Sequence, residues 1–315
     1  MRYPNVRIRS TGSCVPARVV TNEQLEQSTA TNAAWVVENL GIHERRIVDE
    51  HEFTSDLAAR AGMDALDRAS LSPDAIDLII VATATPDRKS PSTACIVQRK
   101  IGMRNFCPGF DVAAVCSGFL YGMTIGAQFI QAGAYQRILV IGADTFSKIT
   151  NWRRRDCVFF GDGAGAVVLE HTVDLRAMFS SVLYADGSGI DNFTVYPDDQ
   201  HFTMNAKAVY DVGTNVLPRA ITTLLTMNGC STGDVSAVIP HQPSIRVLRK
   251  TAEALAIPIE KIKMNMDQYG NTAGASIPLL LDQVHKRGEL DENDLIVFAA
   301  VGSGWTWGAA LYRWI

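Results

Sequence analysis

The chain has 315 residues, of which 47% are hydrophobic and 20% charged, a composition typical of a soluble globular protein. Its 29 Lys and Arg residues are outnumbered by 33 Asp and Glu residues, which argues against a dedicated nucleic-acid-binding protein. No uncharged apolar stretch approaches the roughly 18 residues of a transmembrane helix, and the N-terminus lacks the apolar segment of a secretory signal. The six cysteines form no C-x-x-C pair, which predicts reduced thiols, a cytoplasmic location and no metal site.

The first half of the chain alternates apolar strands with helical stretches, which predicts an α/β fold. Ser72-Pro73-Asp74 has the composition of a helix start, with Ser as the N-cap and Pro in the first turn. The predicted strands are 77–84, 110–115, 137–142 and 164–170, and the predicted helices are 54–69, 92–102 and 117–132.

The second half repeats this plan. The segment that begins at Ser231 parallels the one at Ser72, because each is a capped turn, then an apolar strand, then polar residues. Predicted helices at 206–228, 243–256 and 272–287 and predicted strands at 294–301 and 308–314 complete it. We therefore expect two duplicated halves, 1–173 and 174–315, with a functional site where they meet.

Cys116 is the first candidate for chemistry, because it ends a predicted buried strand and immediately precedes an apolar helix. The positive end of a helix dipole lowers a thiol pKa and favours the nucleophilic thiolate. The alternative is a small buried hydrophobic residue, the commonest fate of a free cysteine. The other five cysteines are interpreted as structural.

His241 and Asn271 are two further candidates at junctions between elements. His241 ends a predicted strand and precedes a helix, a place where α/β folds locate active sites, although a lone His is more often a satisfied core or surface residue. Asn271 lies in a tight turn that opens a helix, where it is either an ordinary N-cap or a donor to a ligand carbonyl.

Two glycine-rich segments have different interpretations. Residues 161–166 (Gly-Asp-Gly-Ala-Gly-Ala) are followed by a predicted strand, whereas a dinucleotide-binding fingerprint requires a helix there, so nicotinamide binding is rejected. Residues 301–308 follow a predicted buried strand, and their glycines would let backbone N–H groups approach a ligand as an oxyanion hole requires. The alternative for this second segment is a tight turn between two strands.

Taken in order, Cys116, His241, Asn271 and the C-terminal glycine-rich loop resemble the thiolase superfamily, and within it the β-ketoacyl-acyl-carrier-protein synthase III family. The resemblance runs nearly end to end. Its motifs are Trp35 with the 41–47 segment, the Cys116 motif, the 161–166 glycines, Pro240-His-Gln, Tyr269-Gly-Asn-Thr and Trp305-Thr-Trp-Gly.

The resemblance implies a five-layered αβαβα fold, a homodimer and a ping-pong reaction that needs no cofactor. Cys116 would take an acyl group from acyl-coenzyme A, with the backbone N–H groups of Cys116 and Ser303 as the oxyanion hole. A malonyl thioester, on acyl carrier protein or coenzyme A, would then lose CO₂. His241 and Asn271 would stabilise the resulting enolate, whose carbon attacks the acyl group.

The same resemblance implies binding residues for both substrates. Trp35 corresponds to the tryptophan that stacks on adenine, and Arg154 belongs to a basic cluster, 153–155, that meets the nucleotide end. Asn39 replaces an arginine that usually helps to hold the adenine. Arg246, which is also assigned to substrate binding, lies on one helix face with Arg249 and Lys250, where relatives contact the carrier protein; a solvated helix face is the alternative.

Departures from the family pattern lie around the acyl pocket. Ser90 replaces a phenylalanine that reaches the pocket from the partner subunit, and Val301 replaces another phenylalanine. Ser303 stands where the family has glycine. The side chain of Ser303 needs space, but the small residue at 90 leaves more room for the acyl chain, which predicts a primer that is not limited to acetyl and is a longer or bulkier acyl group.

Two other functions remain open from the sequence. An acyltransferase could pass the acyl group from Cys116 to an oxygen or nitrogen nucleophile without condensation. A non-catalytic partner subunit would typically have lost the nucleophile, so an intact Cys, His and Asn set argues against it. The sequence does not distinguish primary fatty-acid synthesis from a specialised pathway.

Overall fold

The structure is a computed structural model that describes residues 1–196 and 198–315. The strands are β1 (Arg2–Tyr3), β2 (Val6–Cys14), β3 (Arg18–Thr21), β4 (Glu44–Ile47), β5 (Leu78–Ala82), β6 (Gly109–Val112), β7 (Arg137–Thr145), β8 (Asp162–His171), β9 (Phe179–Ala185), β10 (Phe193–Thr194), β11 (Thr203–Met204), β12 (Ala237–Pro240), β13 (Leu295–Gly302) and β14 (Thr306–Arg313). The helices are α1 (Asn22–Glu26), α2 (Ala33–Leu40), α3 (Thr54–Ala69), α4 (Thr93–Lys100), α5 (Gly118–Gln131), α6 (Ala206–Asn228), α7 (Ile245–Leu255), α8 (Met266–Tyr269) and α9 (Ser276–Lys286).

Most of the strands form two five-stranded mixed sheets. The first sheet has the order β2-β8-β7-β5-β6, in which β5 is parallel to β6 and β7, and β8 is antiparallel to its neighbours. The second has the order β1-β9-β14-β13-β12, in which only β12 and β13 are parallel. Parallel strands bring their carboxyl ends to one edge of a sheet, which is where Cys116 and His241 follow β6 and β12.

Helices pack on both faces of each sheet and produce five layers. α3 and α4 cover the outer face of the first sheet, and α6 and α7 cover the outer face of the second. α5 and α9 lie between the sheets, in a core to which both sheets contribute apolar side chains. The αβαβα arrangement implied by the family resemblance is therefore confirmed.

Glycines let the central layer approach the first sheet closely. A Cβ atom on Gly165 would lie 2.3 Å from the Leu279 backbone nitrogen of α9, and one on Gly142 would lie 2.2 Å from the Gly274 carbonyl oxygen. No side chain fits at such distances. The 161–166 segment, interpreted from the sequence as a turn before a strand, is thus mostly part of β8, where its glycines serve packing.

The predicted elements are largely confirmed, with two kinds of difference. The sequence interpretation placed no element before residue 54 and so missed all those of the N-terminal segment, and it also missed β9. The apolar residues of β2 and β9 are interrupted by Arg, Ser and Thr and form no continuous apolar run. The helix predicted at 272–287 begins only at Ser276, because Ala273–Ala275 form a 3₁₀ turn in which Ala273 has a φ of 49°. Within the described residues, no helix is long and apolar enough to cross a membrane.

Candidate active site

Cys116 lies in the short 3₁₀ turn Val115–Ser117 that connects β6 to α5. Val115, immediately before it, has a φ of 46°, which is a strained conformation for a β-branched residue. Such strain is held only where the surroundings fix the backbone. Here Ser117 Oγ donates to the Thr306 carbonyl at 3.0 Å, and Thr306 Oγ1 donates to the Ala114 carbonyl at 3.2 Å.

The pKa of the Cys116 thiol is raised, mainly because the side chain is buried and secondarily because the Asp144 carboxylate is near. Hydrogen bonds from the Cys116 backbone and the Asn271 side chain act in the opposite direction. The sequence interpretation, which lowered this pKa through the N-terminus of α5, is wrong in direction, because burial removes water from the thiolate. Cys116 is therefore held as a thiol, and if it acts as a nucleophile its attack requires a proton acceptor.

His241 follows β12 and is only 3% exposed. Burial lowers the pKa of its imidazole from 6.5 to about 3, so the ring is neutral at pH 7. No described residue makes a hydrogen bond to Nδ1. The next residue, Gln242, fixes the backbone: its amide nitrogen donates to the Pro240 carbonyl at 2.9 Å, and its oxygen accepts from the Asn265 backbone N–H at 3.2 Å.

Asn271 follows α8, and both its backbone N–H and its backbone carbonyl are hydrogen-bonded. Its N–H donates to the Phe159 carbonyl at 2.9 Å, and its own carbonyl accepts from the Gly161 N–H at 3.1 Å. The side-chain oxygen accepts from the Ala273 N–H at 2.9 Å. Because the oxygen is engaged, the amide NH₂ is the end available as a donor towards the cavity.

The glycine-rich loop packs against the Cys116 turn. A Cβ atom on Gly302 would lie 2.9 Å from the Ala114 carbonyl oxygen and 3.1 Å from the Cys116 backbone nitrogen. Glycine is therefore required at this contact. The contact brings the backbone of residues 302–304 to the nucleophile, as the predicted oxyanion hole needs.

A cavity of about 330 Å³ joins these elements, and Cys116, His241, Asn271, Val301 and Ser303 all line it. Trp35 and Arg246 also belong to its wall. The structure thus brings together all three residues predicted to be catalytic, with both predicted oxyanion residues, from four separate segments of the chain.

Four predicted binding residues lie outside this cavity. Ser90 is exposed, as are Arg249 and Lys250 on α7, where Lys250 forms an ion pair with Glu253 at 2.7 Å. Arg154 is paired with Asp156 at 2.6 Å and does not line the cavity.

Trp35 contacts Arg155, the residue that follows Arg154. The guanidinium of Arg155 lies 4.5 Å from the centroid of the Trp35 ring, within the range of a cation–π contact. Asn39, one turn along α2, accepts a hydrogen bond from Arg246 at 3.3 Å. The sequence indicated the 153–155 cluster but not which of its arginines faces the tryptophan.

A cluster of four phenylalanines, which the sequence interpretation did not identify, packs against Cys116. Its members are Phe146, Phe160, Phe193 and Phe202. The rings of Phe146 and Phe160 are stacked with centroids 4.6 Å apart, and Ser303 Oγ donates to the Phe193 carbonyl at 2.5 Å. The only sequence signal was the Phe159-Phe160 pair before the 161–166 glycines, because the other rings come from distant segments. Among the described residues, no group of three or more His, Cys, Asp and Glu side chains is arranged to hold a metal ion.

Comparisons with known proteins agree with this geometry. The family model described as 3-oxoacyl-[acyl-carrier-protein] synthase III matches residues 110–187, and the model of its C-terminal part matches residues 225–314. A β-ketoacyl-[acyl-carrier-protein] synthase III of Oceanobacillus iheyensis is 41% identical over 98% of this chain and 99% of its own. One of Thiobacillus denitrificans is also 41% identical, with the same coverage.

Solved structures give the same result. The crystal structure of 3-oxoacyl-[acyl-carrier-protein] synthase III from Aquifex aeolicus superposes with a TM-score of 0.95 at 39% identity, covering 98% of this chain and all of the other. These similarities define a thiolase-like condensing enzyme. The chain belongs to the β-ketoacyl-[acyl-carrier-protein] synthase III family.

Proposed function

We propose that this protein catalyses the decarboxylative condensation of an acyl-coenzyme A primer with malonyl-acyl carrier protein. The observation that carries the proposal is the convergence of Cys116, His241 and Asn271 on one cavity, against a glycine-rich loop that approaches the Cys116 backbone. The names of the relatives do not favour an acyltransferase that skips condensation.

In the first half-reaction, Cys116 Sγ attacks the thioester carbonyl carbon of the primer. The thiol proton passes to neutral His241 and then to the departing coenzyme A sulfur, so that one thioester replaces another. The backbone N–H groups of Cys116 and Ser303 stabilise the oxyanion formed on the way.

In the second half-reaction, the malonyl thioester loses its carboxylate as CO₂, and the electron pair of the broken C–C bond forms an enolate. His241 and the Asn271 amide donate hydrogen bonds to the enolate oxygen. The enolate carbon attacks the acyl-Cys116 carbonyl, and the cysteine sulfur leaves as a thiolate that takes one proton from solvent. This sequence consumes no redox equivalent and needs no cofactor.

Coenzyme A and carrier protein are each proposed to bind a particular set of residues. The adenine of coenzyme A binds at Trp35 and Arg155, and Arg246 lies at the same end of the cavity. Carrier protein, which is acidic, contacts the basic face formed by Arg246, Arg249 and Lys250. Arg154 stays a prediction for the nucleotide end. We also infer that each chain consists of the two predicted halves 1–173 and 174–315, and that two chains form a homodimer in the cytoplasm. We infer a role in fatty-acid or specialised-metabolite synthesis.

The primer is proposed to be longer or bulkier than acetyl. Val301 leaves space beside Cys116, and Ser90 would leave space from the partner subunit, since neither side chain fills the volume of phenylalanine. Phe160 and Phe193 of the phenylalanine cluster line the same cavity as Val301, so the acyl chain would lie between aromatic and aliphatic side chains.

Intact-protein mass spectrometry tests the reaction and the primer together. Wild type and Cys116→Ala are incubated with acetyl- to octanoyl-coenzyme A and then with malonyl-carrier protein. We expect an adduct on wild type alone, strongest with chains longer than acetyl, that the malonyl donor discharges with release of CO₂. An adduct that malonyl-carrier protein cannot discharge would support acyl transfer without condensation, and equal or better loading of acetyl would contradict the proposed primer.

A further inference from the structure

Asp144, the penultimate residue of β7, is fully buried. Its Oδ1 accepts four hydrogen bonds from residues 83–85, which follow β5: from Thr83 Oγ1 at 3.2 Å, from the Ala84 N–H at 2.8 Å, and from the N–H and Oγ1 of Thr85 at 3.1 and 2.9 Å. Its Oδ2 accepts one from the Gly274 N–H at 2.8 Å. The two oxygens therefore connect different segments, and only Oδ2 holds the turn that follows Asn271.

That turn determines where the Asn271 amide points. The Asn271 side-chain oxygen is bonded to the Ala273 N–H, and Ala273 has a left-handed φ of 49° next to Gly274. A Cβ atom on Gly274 would lie 3.3 Å from the Val115 carbonyl oxygen, so the same turn packs on the residue before Cys116. The distance between the Asn271 amide and the nucleophile therefore depends on where Gly274 is held.

We propose that Asp144 is a positioning residue for condensation, holding the 273–275 turn through Gly274 so that the Asn271 amide is aimed at the enolate. The inference rests on the proposed function. Asp144 touches no substrate, and we expect its larger effect in the step in which Asn271 acts.

The chemistry of the carboxylate supports this role over a purely structural one. All five partners are donors, and a carboxylate is the side chain that only accepts. Burial raises the pKa of Asp144 to about 6, against the hydrogen bonds, so the group is still charged at neutral pH. That charge also raises the pKa of Cys116.

Asp144→Asn breaks the connection selectively. If the amide oxygen keeps the four donors of residues 83–85, the amide NH₂ faces the Gly274 N–H, and two donors repel each other. Displacing a catalytic group by about 1 Å lowers a rate by on the order of 100-fold. We expect release of labelled CO₂ from malonyl thioester on acylated enzyme to fall about 100-fold, and acylation of Cys116 by the acyl-coenzyme A that loads wild type best to fall less than about 5-fold.

Gly274→Ala disturbs the same contact from the other side, because its Cβ would lie 3.0 Å from Asp144 Oδ2. It keeps the Asp144 carboxylate and its hydrogen bonds from residues 83–85, and it tests the contact with Gly274 if Asp144→Asn does not fold. Asp77→Asn is the matched control: Asp77 also accepts two backbone N–H groups, at 2.8 Å, but at the opposite end of β5. Its ratio of decarboxylation to acylation should equal that of wild type.

A double variant separates positioning from general damage. Asp144→Asn added to Asn271→Ala should slow decarboxylation less than 2-fold further, because residues that act through one another are not additive. Equal losses in both steps, unchanged decarboxylation, or full additivity with Asn271→Ala would overturn the proposal. If wild type itself is acylated but releases no CO₂, the proposed function fails instead.

Discussion

His241→Gln should flatten the pH dependence of stability, because it replaces a buried neutral imidazole with a side chain that does not titrate. The imidazole pKa is about 3 in the folded protein and 6.5 in the unfolded chain. Between these values the unfolded chain binds a proton that the folded protein does not, so stability falls as the pH drops below about 6.5.

The magnitude follows from the two pKa values. Each pH unit in that window costs about 1.4 kcal/mol, and the unfolded group is only partly protonated near pH 6.5. Between pH 7 and pH 5 the wild type should therefore lose about 2 kcal/mol more of its free energy of unfolding than the variant does. His285, whose pKa is also lowered by burial, is present in both proteins, so its contribution cancels.

Urea unfolding at pH 7 and pH 5, at one protein concentration, gives the four free energies needed. A parallel loss in wild type and His241→Gln would refute the reasoning, since it would mean that His241 is not held neutral. The outcome also bears on chemistry, because only a neutral imidazole can accept the Cys116 proton in the proposed acylation.

Two further pairs of variants test packing and substrate binding. Gly165→Ala should lower the free energy of unfolding by more than about 3 kcal/mol, because its Cβ would overlap the backbone of α9. Gly163→Ala is the control: the nearest neighbours of its Cβ are side-chain atoms 3.5 Å away, so it should lower the free energy of unfolding by less than about 1 kcal/mol. Equal unfolding midpoints of the two variants would contradict this prediction. Arg155→Ala should raise the KM for acyl-coenzyme A about 2- to 5-fold, because it removes the contact with Trp35. Arg154→Ala removes only a surface ion pair and should raise this KM less. The reverse order in steady-state kinetics would favour Arg154 as the nucleotide-binding residue.

The catalytic candidates could be identified from the sequence because their signals are local. Cys116 and His241 each follow a short apolar run and precede a helix, and Asn271 lies between two glycines of a turn. Such junctions lie at the strand ends where α/β folds place their sites. The prediction that these three distant junctions meet in one cavity rested on the family resemblance, because no local sequence pattern specifies which strand ends lie together.

Features that depend on packing between distant segments could not be predicted. The phenylalanine cluster combines rings from four separate parts of the chain, and Asp144 resembles any polar residue at the end of an apolar strand until its contact with Gly274 is known. The choice between Arg154 and Arg155 depends on side-chain direction in an irregular segment, for which periodicity offers no rule.

The pKa of Cys116 shows why local chemistry alone gave the wrong direction. The N-terminus of α5 favours the thiolate, but the cysteine is buried, and the cost of desolvating a charge exceeds a helix-dipole effect of typically below about 1 kcal/mol at exposed sites. The cavity therefore holds a neutral thiol beside a neutral imidazole. In the proposed reaction, negative charge then develops on the substrate oxygen only as the bond to sulfur forms. The backbone N–H groups of Cys116 and Ser303, the proposed oxyanion hole, would donate to that oxygen, so their electrostatic stabilisation would act on the transition state.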